Sequence, residues 1–148
     1  MWRARDPTAA TGELQAAARA WATVNAHLEA LCGAGDCGTA LTAEVALTIM
    51  ETGEVTRGRA AVAALLAYLH RSAFAAPPVV TTLVAGTERA MIEAEFTGLH
   101  TGEFAGIPPT GRMVRLAYAV AYDLGTDMIS EMRLYFPLDT LVRQLRDP

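Results

Sequence analysis

Two stretches of alternating character, AMIEAEFTGL and MVRLAYAVAYDL, are joined by HTGEFAGIPPTGR, His100 to Arg112. The connector holds three glycines and two prolines in thirteen residues, which excludes a helix or an uninterrupted strand. A long, stiff crossover between two strands lets an antiparallel sheet bend hard at one end and curl around a cavity. Its plain reading is structural; direct ligand contact by Thr101 or Thr110 is the alternative.

The flanking strands carry one bulky apolar set and one polar set each. Over 89–99 the sets are Ala90, Ile92, Ala94, Phe96 and Arg89, Met91, Glu93, Glu95, Thr97, the first parity continuing to His100. Over 112–122 they are Val114, Leu116, Tyr118, Val120, Tyr122 and Arg115, Ala117, Ala119, Ala121, Asp123. Over 128–136 they are Ser130, Met132, Leu134, Phe136 and Ile129, Glu131, Arg133, Tyr135. The bulky sets predict one buried concave face. The opposite face mixes charges of both signs over a floor of small alanines.

Upstream, residues 12–32 are Ala-rich, with Leu14, Ala18, Trp21, Val24 and Leu28 at helical spacing. GAGDCG stops that helix. AEVALTIM and VTRGR then read as a short hairpin around ETGE, and AAVAALLAYLHRSAF as a second helix ended by Pro77 and Pro78. Strands at 79–86, 89–99, 112–124 and 128–136 follow as an antiparallel meander, and Pro137 opens a closing helix, LDTLVRQL. The predicted fold is α+β: a curved antiparallel sheet packed on N-terminal helices, enclosing an apolar pocket. Its 148 residues suit a single domain over 1–148, with 1–11 a loose N-terminal arm.

Half of the chain (52%) is hydrophobic, enough for a sizeable core, yet no run reaches the roughly 20 apolar residues of a membrane span. The start lacks the apolar stretch of a secretory signal. Net charge is −4, and all twelve cations are arginine, with no basic patch, which argues against nucleic acid as a partner. Cys32 and Cys37 form no metal pattern with the histidines. Two reduced thiols in a cytoplasmic protein is the expectation, a local disulfide the alternative.

FTGLHTGEFAGIPPTGR, with MISEMRLYF and LVRQL after it, resembles the SnoaL-like polyketide cyclases. These belong to the nuclear-transport-factor-2-like superfamily, with ketosteroid isomerase, scytalone dehydratase and limonene epoxide hydrolase. The resemblance implies the cone-shaped fold and dimers formed sheet to sheet. It also implies an inward carboxylate on the last strand, just after the Arg of a WRDYFD string. MRLYFP places Leu134 at that position and Pro137 at the second aspartate, and Phe96 stands at the partner position on the strand at 89–99. The fold carries over and the usual carboxylates do not.

The polar groups left on the predicted inner face are few. Tyr118 and Tyr122 could donate to a carbonyl or developing enolate, and His100, at a strand end, could act as a base. Each also has a bland reading: tyrosines as packing, His100 as a loop-anchoring hydrogen bonder. Thr48 and Ser130 are weaker candidates, and His27 and His70 read as solvent-facing or capping residues. The expected substrate wall is Thr48, Met50, Phe96, Leu116, Met132, Leu134, Phe136 and Trp21.

Two functions fit. One is a cyclase, isomerase or dehydratase working on an apolar, polyketide-like intermediate by templating and hydroxyl hydrogen bonds, without metal or organic cofactor. The other is a noncatalytic binder of a hydrophobic small molecule. The leucine at 134 argues against epoxide hydrolysis on either. A homodimer through the outer sheet face is expected, with no nucleic-acid and no membrane partner.

Overall fold

The computed structural model describes residues 7–147. Helix α1 (Pro7–Cys32) begins earlier than expected, so residues 7–11 are its first turns; the rest of the expected arm lies outside the described residues. Its buried stripe is Ala20, Val24, His27, Leu28 and Leu31, spaced three and four apart. Leu14 and Trp21 stand off that stripe, 72% and 46% exposed. The expected stripe through them was therefore turned: with so many alanines on every side, the two large side chains did not mark the buried face.

Strand β1 (Leu41–Ile49) and β2 (Glu54–Arg57) form the hairpin, and α2 (Arg59–Ala67) follows. The second helix does not run on to Phe74. It widens into a single π turn, Tyr68–Ser72, whose ring is closed by the Ala73 amide on the Tyr68 carbonyl at 2.7 Å. Such turns insert one residue and re-aim the side chains that follow. Here the chain then enters the two-residue strand β3 (Phe74–Ala75) and β4 (Pro78–Gly86), both paired to β5 (Arg89–His100). Gly98 sits where β5 meets β3: a Cβ there would stand 2.0 Å from the Ala75 carbonyl oxygen, so only glycine fits.

The meander β4–β5–β6–β7 is antiparallel as predicted, with β6 (Met113–Leu124) and β7 (Ile129–Tyr135). The sheet as a whole is mixed, because β1 pairs in parallel with β7, Ala46 opposite Glu131 and Ile49 opposite Leu134. Its order is β2-β1-β7-β6-β5-β3, with β4 also on β5. Curled into a half-barrel with the helices packed on it, it is the cone-shaped α+β fold that the resemblance implied. Helix α3 (Leu138–Arg146) closes the chain, burying Leu141 and Leu145.

Parity along β5 and β6 follows the sequence throughout, buried and outward residues alternating. In β7 a register shift between Asp123 and Leu124 of β6 turns Ile129 inward and leaves the Ser130 hydroxyl on the Asp123 carbonyl at 3.0 Å. In β1 a shift between Leu41 and Ala46 puts Val45 and Leu47 inside. The core between sheet and helices is strongly aromatic. Phe96 makes edge contacts with Phe74 at 5.1 Å and Phe136 at 5.2 Å, and Tyr118 leans on Phe136 at 5.4 Å.

Candidate functional site

The curl of the sheet encloses one apolar cavity beneath α1 and the π turn. Strands β5, β6 and β7 give it Ile92 and Phe96, Tyr118, Val120 and Tyr122, and Met132 and Leu134, with Phe136 just beyond. Leu47 comes from β1; Leu28, Leu31 and His27 from α1; Leu66, Leu69 and His70 from α2 and the π turn. The enclosed volume is about 20 Å³. That is room for about one water.

The tyrosines lie where parity put them. Tyr118 is 7% and Tyr122 1% exposed. Both line the cavity, and neither hydroxyl is among the fully buried side-chain atoms without a partner, which in the described residues are His27 Nε2, Thr97 Oγ1 and His100 Nε2. Burial pushes both phenols far above their ordinary value; the Cys32 thiol adds to this for both, and Tyr118 adds to it for Tyr122. Both are therefore neutral donors at any ordinary pH.

Two histidines join them that the sequence reading set aside as solvent-facing or capping. His27 is fully buried, its Nδ1 2.9 Å from the Thr39 carbonyl. A carbonyl only accepts, so Nδ1 carries the proton and Nε2 a bare lone pair. That Nε2 is buried without a partner. His70 repeats the pattern, Nδ1 lying 2.7 Å from the Ala76 carbonyl. Burial lowers the basicity of both rings; the carbonyl bonds oppose this, and for His70 the nearby His27 and Arg71 add to the lowering. Both stay neutral at pH 7. The signal that could have found them is the spacing of His27 from Val24 and Leu31, which places it on the buried stripe of α1.

His100 stands elsewhere. It is fully buried at the end of β5, beside Phe74 at 5.1 Å, and does not line the cavity. Its Nδ1 accepts from the Thr110 amide at 3.1 Å and lies 3.0 Å from the Thr110 hydroxyl. The ring thus pins the GIPPTGR crossover back onto β5, helped by the Gly111 amide on the His100 carbonyl at 3.0 Å. Of the expected wall, Phe96, Met132, Leu134 and Phe136 line the cavity. Leu116 is buried but one step outside it. Thr48 and Met50 are not in it, since the irregular β1 register turns Leu47 inward in their place, and Met50 is 40% exposed. Trp21 lines a surface groove against Val80 and Leu83 instead.

Carboxylates stay out of the cavity. Leu134 and Phe96 occupy its wall, while Asp123 sits on the other face, gripped by both Arg133 guanidinium nitrogens at 2.9 Å. That pairing holds the Asp123 carboxyl below its usual range. Among the described residues no cluster of three ligating side chains could hold a metal ion.

Two surface grooves of about 400 Å³ and 410 Å³ flank the cavity. Leu28 and Pro78 are common to the cavity and the first, Leu31 and His70 to the cavity and the second. The wall is thus one side chain thick at both places. Cys32, its thiol donating to the Pro78 carbonyl at 3.2 Å, stands on the rim of both grooves.

This fold and cavity define a cone-shaped domain with a neutral, apolar interior. The profile of the SnoaL-like polyketide cyclases matches residues 15–145, and the chain belongs to that family. A Jannaschia sp. CCS1 protein assigned to the SnoaL-like polyketide cyclases has a similar structure, with TM-score 0.81 and 21% identity over 99% of each chain. A protein of Pseudomonas putida KT2440 assigned as a polyketide cyclase superposes with TM-score 0.70 at 25% identity, over 85% of this chain and 97% of its own. An epoxide hydrolase of Mycobacterium tuberculosis shares the fold, with TM-score 0.68, at 16% identity over 87% of this chain and 90% of its own. Among curated proteins none matches. No described helix is long and apolar enough to cross a membrane.

Proposed function

We propose that the chain is a cofactor-independent enzyme acting on an apolar, carbonyl-bearing intermediate of the polyketide type, by cyclisation, isomerisation or dehydration. The observation that carries this is the pair of tyrosines, Tyr118 and Tyr122, on a cavity wall that is otherwise hydrocarbon and imidazole. Donors fixed in a dry site stabilise negative charge developing on a carbonyl oxygen far better than water does. Aromatic walls from Phe96 and Phe136 fold the substrate so that its reacting carbons meet. Substrate enters by displacing the side chains shared with the surface grooves, because the closed cavity is too small for it.

Noncatalytic binding of a hydrophobic molecule is the second reading, favoured by the absence of any carboxylate among the lining residues. The two part on one comparison. An enzyme loses turnover in Tyr118→Phe by about 10²–10³ while still binding product; a carrier shows no turnover in any form and a modest change in affinity.

On the same reading the protein works in the cytoplasm as a homodimer. The candidate interface is the outer face of β5 and β6, where Ala117, Ala119 and Ala121 form the floor. Met91, Leu99, Met113 and Tyr135 are exposed on that side of the sheet, and its charges are partly paired within the chain, Arg115 to Glu95 at 3.1 Å. Light scattering at micromolar concentration should give twice the 15.7 kDa of one chain, and a single-chain particle would end the dimer claim.

A further inference from the structure

We infer that His27 is the proton acceptor of this cavity, taking a proton from a substrate carbon whose carbonyl the tyrosine hydroxyls hold. The inference rests on the proposed enzymatic reading and adds to it the group that reading lacks. A pocket with hydroxyl donors alone can polarise a carbonyl but cannot remove a proton.

Three observations carry it. The Thr39 carbonyl at 2.9 Å fixes the proton on Nδ1, so the lone pair sits on Nε2. The Thr39 carbonyl is itself held in place by a tight turn: the Thr39 amide and hydroxyl both donate to the Asp36 carbonyl, at 3.0 and 2.7 Å, and the Asp36 carboxylate accepts from the Gly38 amide at 2.7 Å. Finally, Nε2 is a buried acceptor with no partner, on a ring that lines the same cavity as the two tyrosines. A base, its orienting group and the oxyanion donors thus meet at one cavity, the arrangement general-base chemistry needs. A buried acceptor left unpaired is costly, and a ligand that accepts from the tyrosines and gives a proton to His27 satisfies it.

The other titratable groups on the cavity are His70, Tyr118 and Tyr122. Neither β1 nor β7 presents one to it. His70 is also neutral but stands on the wall toward the surface groove. A neutral imidazole without a carboxylate partner is a weak base. The carbon it can deprotonate is one made acidic by two flanking carbonyls. In that step the C–H proton passes to Nε2, the bonding pair becomes an enolate whose oxygen accepts from a tyrosine hydroxyl, and the imidazolium later returns a proton to carbon.

The test uses acetylacetone, the smallest doubly activated carbon acid, in heavy water, with exchange at its central carbon followed by proton NMR. Variants are His27→Asn, Tyr118→Phe and the surface control Glu131→Gln, each checked for its melting temperature. Asn keeps an N–H for the Thr39 carbonyl and has no atom at the Nε2 position. Wild type and Glu131→Gln should speed exchange, and His27→Asn should lose about 10²-fold or more, as for a general base. Undiminished exchange in His27→Asn with a slowed Tyr118→Phe overturns the role of His27 and leaves the tyrosine reading standing. Wild type that binds the dione, seen in its enol absorbance, yet gives only the buffer rate also overturns it and favours a carrier. Neither binding nor exchange overturns both. NMR of the histidine ring nitrogens gives a readout free of substrate, and a proton on Nε2 of His27 would likewise overturn the inference.

Discussion

Gln144 hydrogen-bonds both backbone groups of Arg115: its Oε1 accepts from the Arg115 amide at 2.9 Å and its Nε2 donates to the Arg115 carbonyl at 2.8 Å. The pairing of β7 with β6 extends from Leu124 only to Ala119, so at Arg115 the edge of β6 has no strand beside it. One carboxamide from α3 stands in for that strand and ties the closing helix to the sheet. Gln144→Ala should destabilise the fold by about 1–2 kcal/mol, two partly exposed hydrogen bonds' worth. Gln144→Glu should also lose stability, because a carboxylate cannot donate to the carbonyl. Urea unfolding measures both.

Removing the cavity hydroxyls should separate stability from function. Phenylalanine keeps each ring on the same cavity wall. Tyr118→Phe and Tyr122→Phe should therefore stay within about 1 kcal/mol of wild-type stability, one hydrogen bond's worth at most. Turnover should fall in the same proteins. A large loss of stability in either would mean that the hydroxyl is structural.

The two cavity histidines make stability depend on pH. Their basicity in the fold lies below that of the unfolded chain. The unfolded state then binds more protons as pH drops, so stability is full above about 6.5, the unfolded histidine value, and declines below it toward the lowered native values. Further acidification past those values adds no more from this source. Urea midpoints between about pH 7.5 and 5 should fall, and His27→Asn should flatten the slope. An unchanged slope would show that His27 titrates as it does in the unfolded chain.

Gly98→Ala should be the most damaging single methyl in the protein. The added carbon meets backbone at 2.0 Å from the Ala75 oxygen and 2.8 Å from the Ala76 Cα, with no flexible side chain to move aside. Loss of soluble protein, or of more than about 3 kcal/mol, is expected. Gly12→Ala, with open space around it, serves as the comparison.

The alternation of β5 and β6 was legible because each strand is buried on one face only, so composition alone sorts inside from outside. The same logic gave Phe96, Tyr118, Tyr122, Met132 and Leu134 their inward direction and kept every carboxylate of these strands out. It failed at irregular places. A shift of register in β1 exchanged Thr48 for Leu47, and the π turn stopped α2 short of Phe74, neither of which has a compositional mark. On α1 the alanines concealed which face was buried, so Trp21 was assigned inward and His27 outward. A histidine whose proton is fixed by a backbone carbonyl is cheap to bury, and nothing in the sequence announces that Thr39 will be there. The parallel pairing of β1 with β7 joins the two ends of the domain, beyond the reach of local pattern.

That parallel pair sets a schedule for synthesis. Ala46 emerges from the ribosome long before Glu131, and β1 has no neighbour on that side until β7 is made. Until then Leu47 faces no opposing Met132 or Leu134, and the chamber they share does not exist. Contacts this distant in sequence form slowly and leave apolar strand exposed in the meantime. A chain cut short before residue 129 is therefore not a weaker version of this protein but an unsealed sheet, prone to pair with another copy of itself. The cavity closes only when β7 joins β1, and chaperone dependence of newly made chains should exceed that of refolded protein.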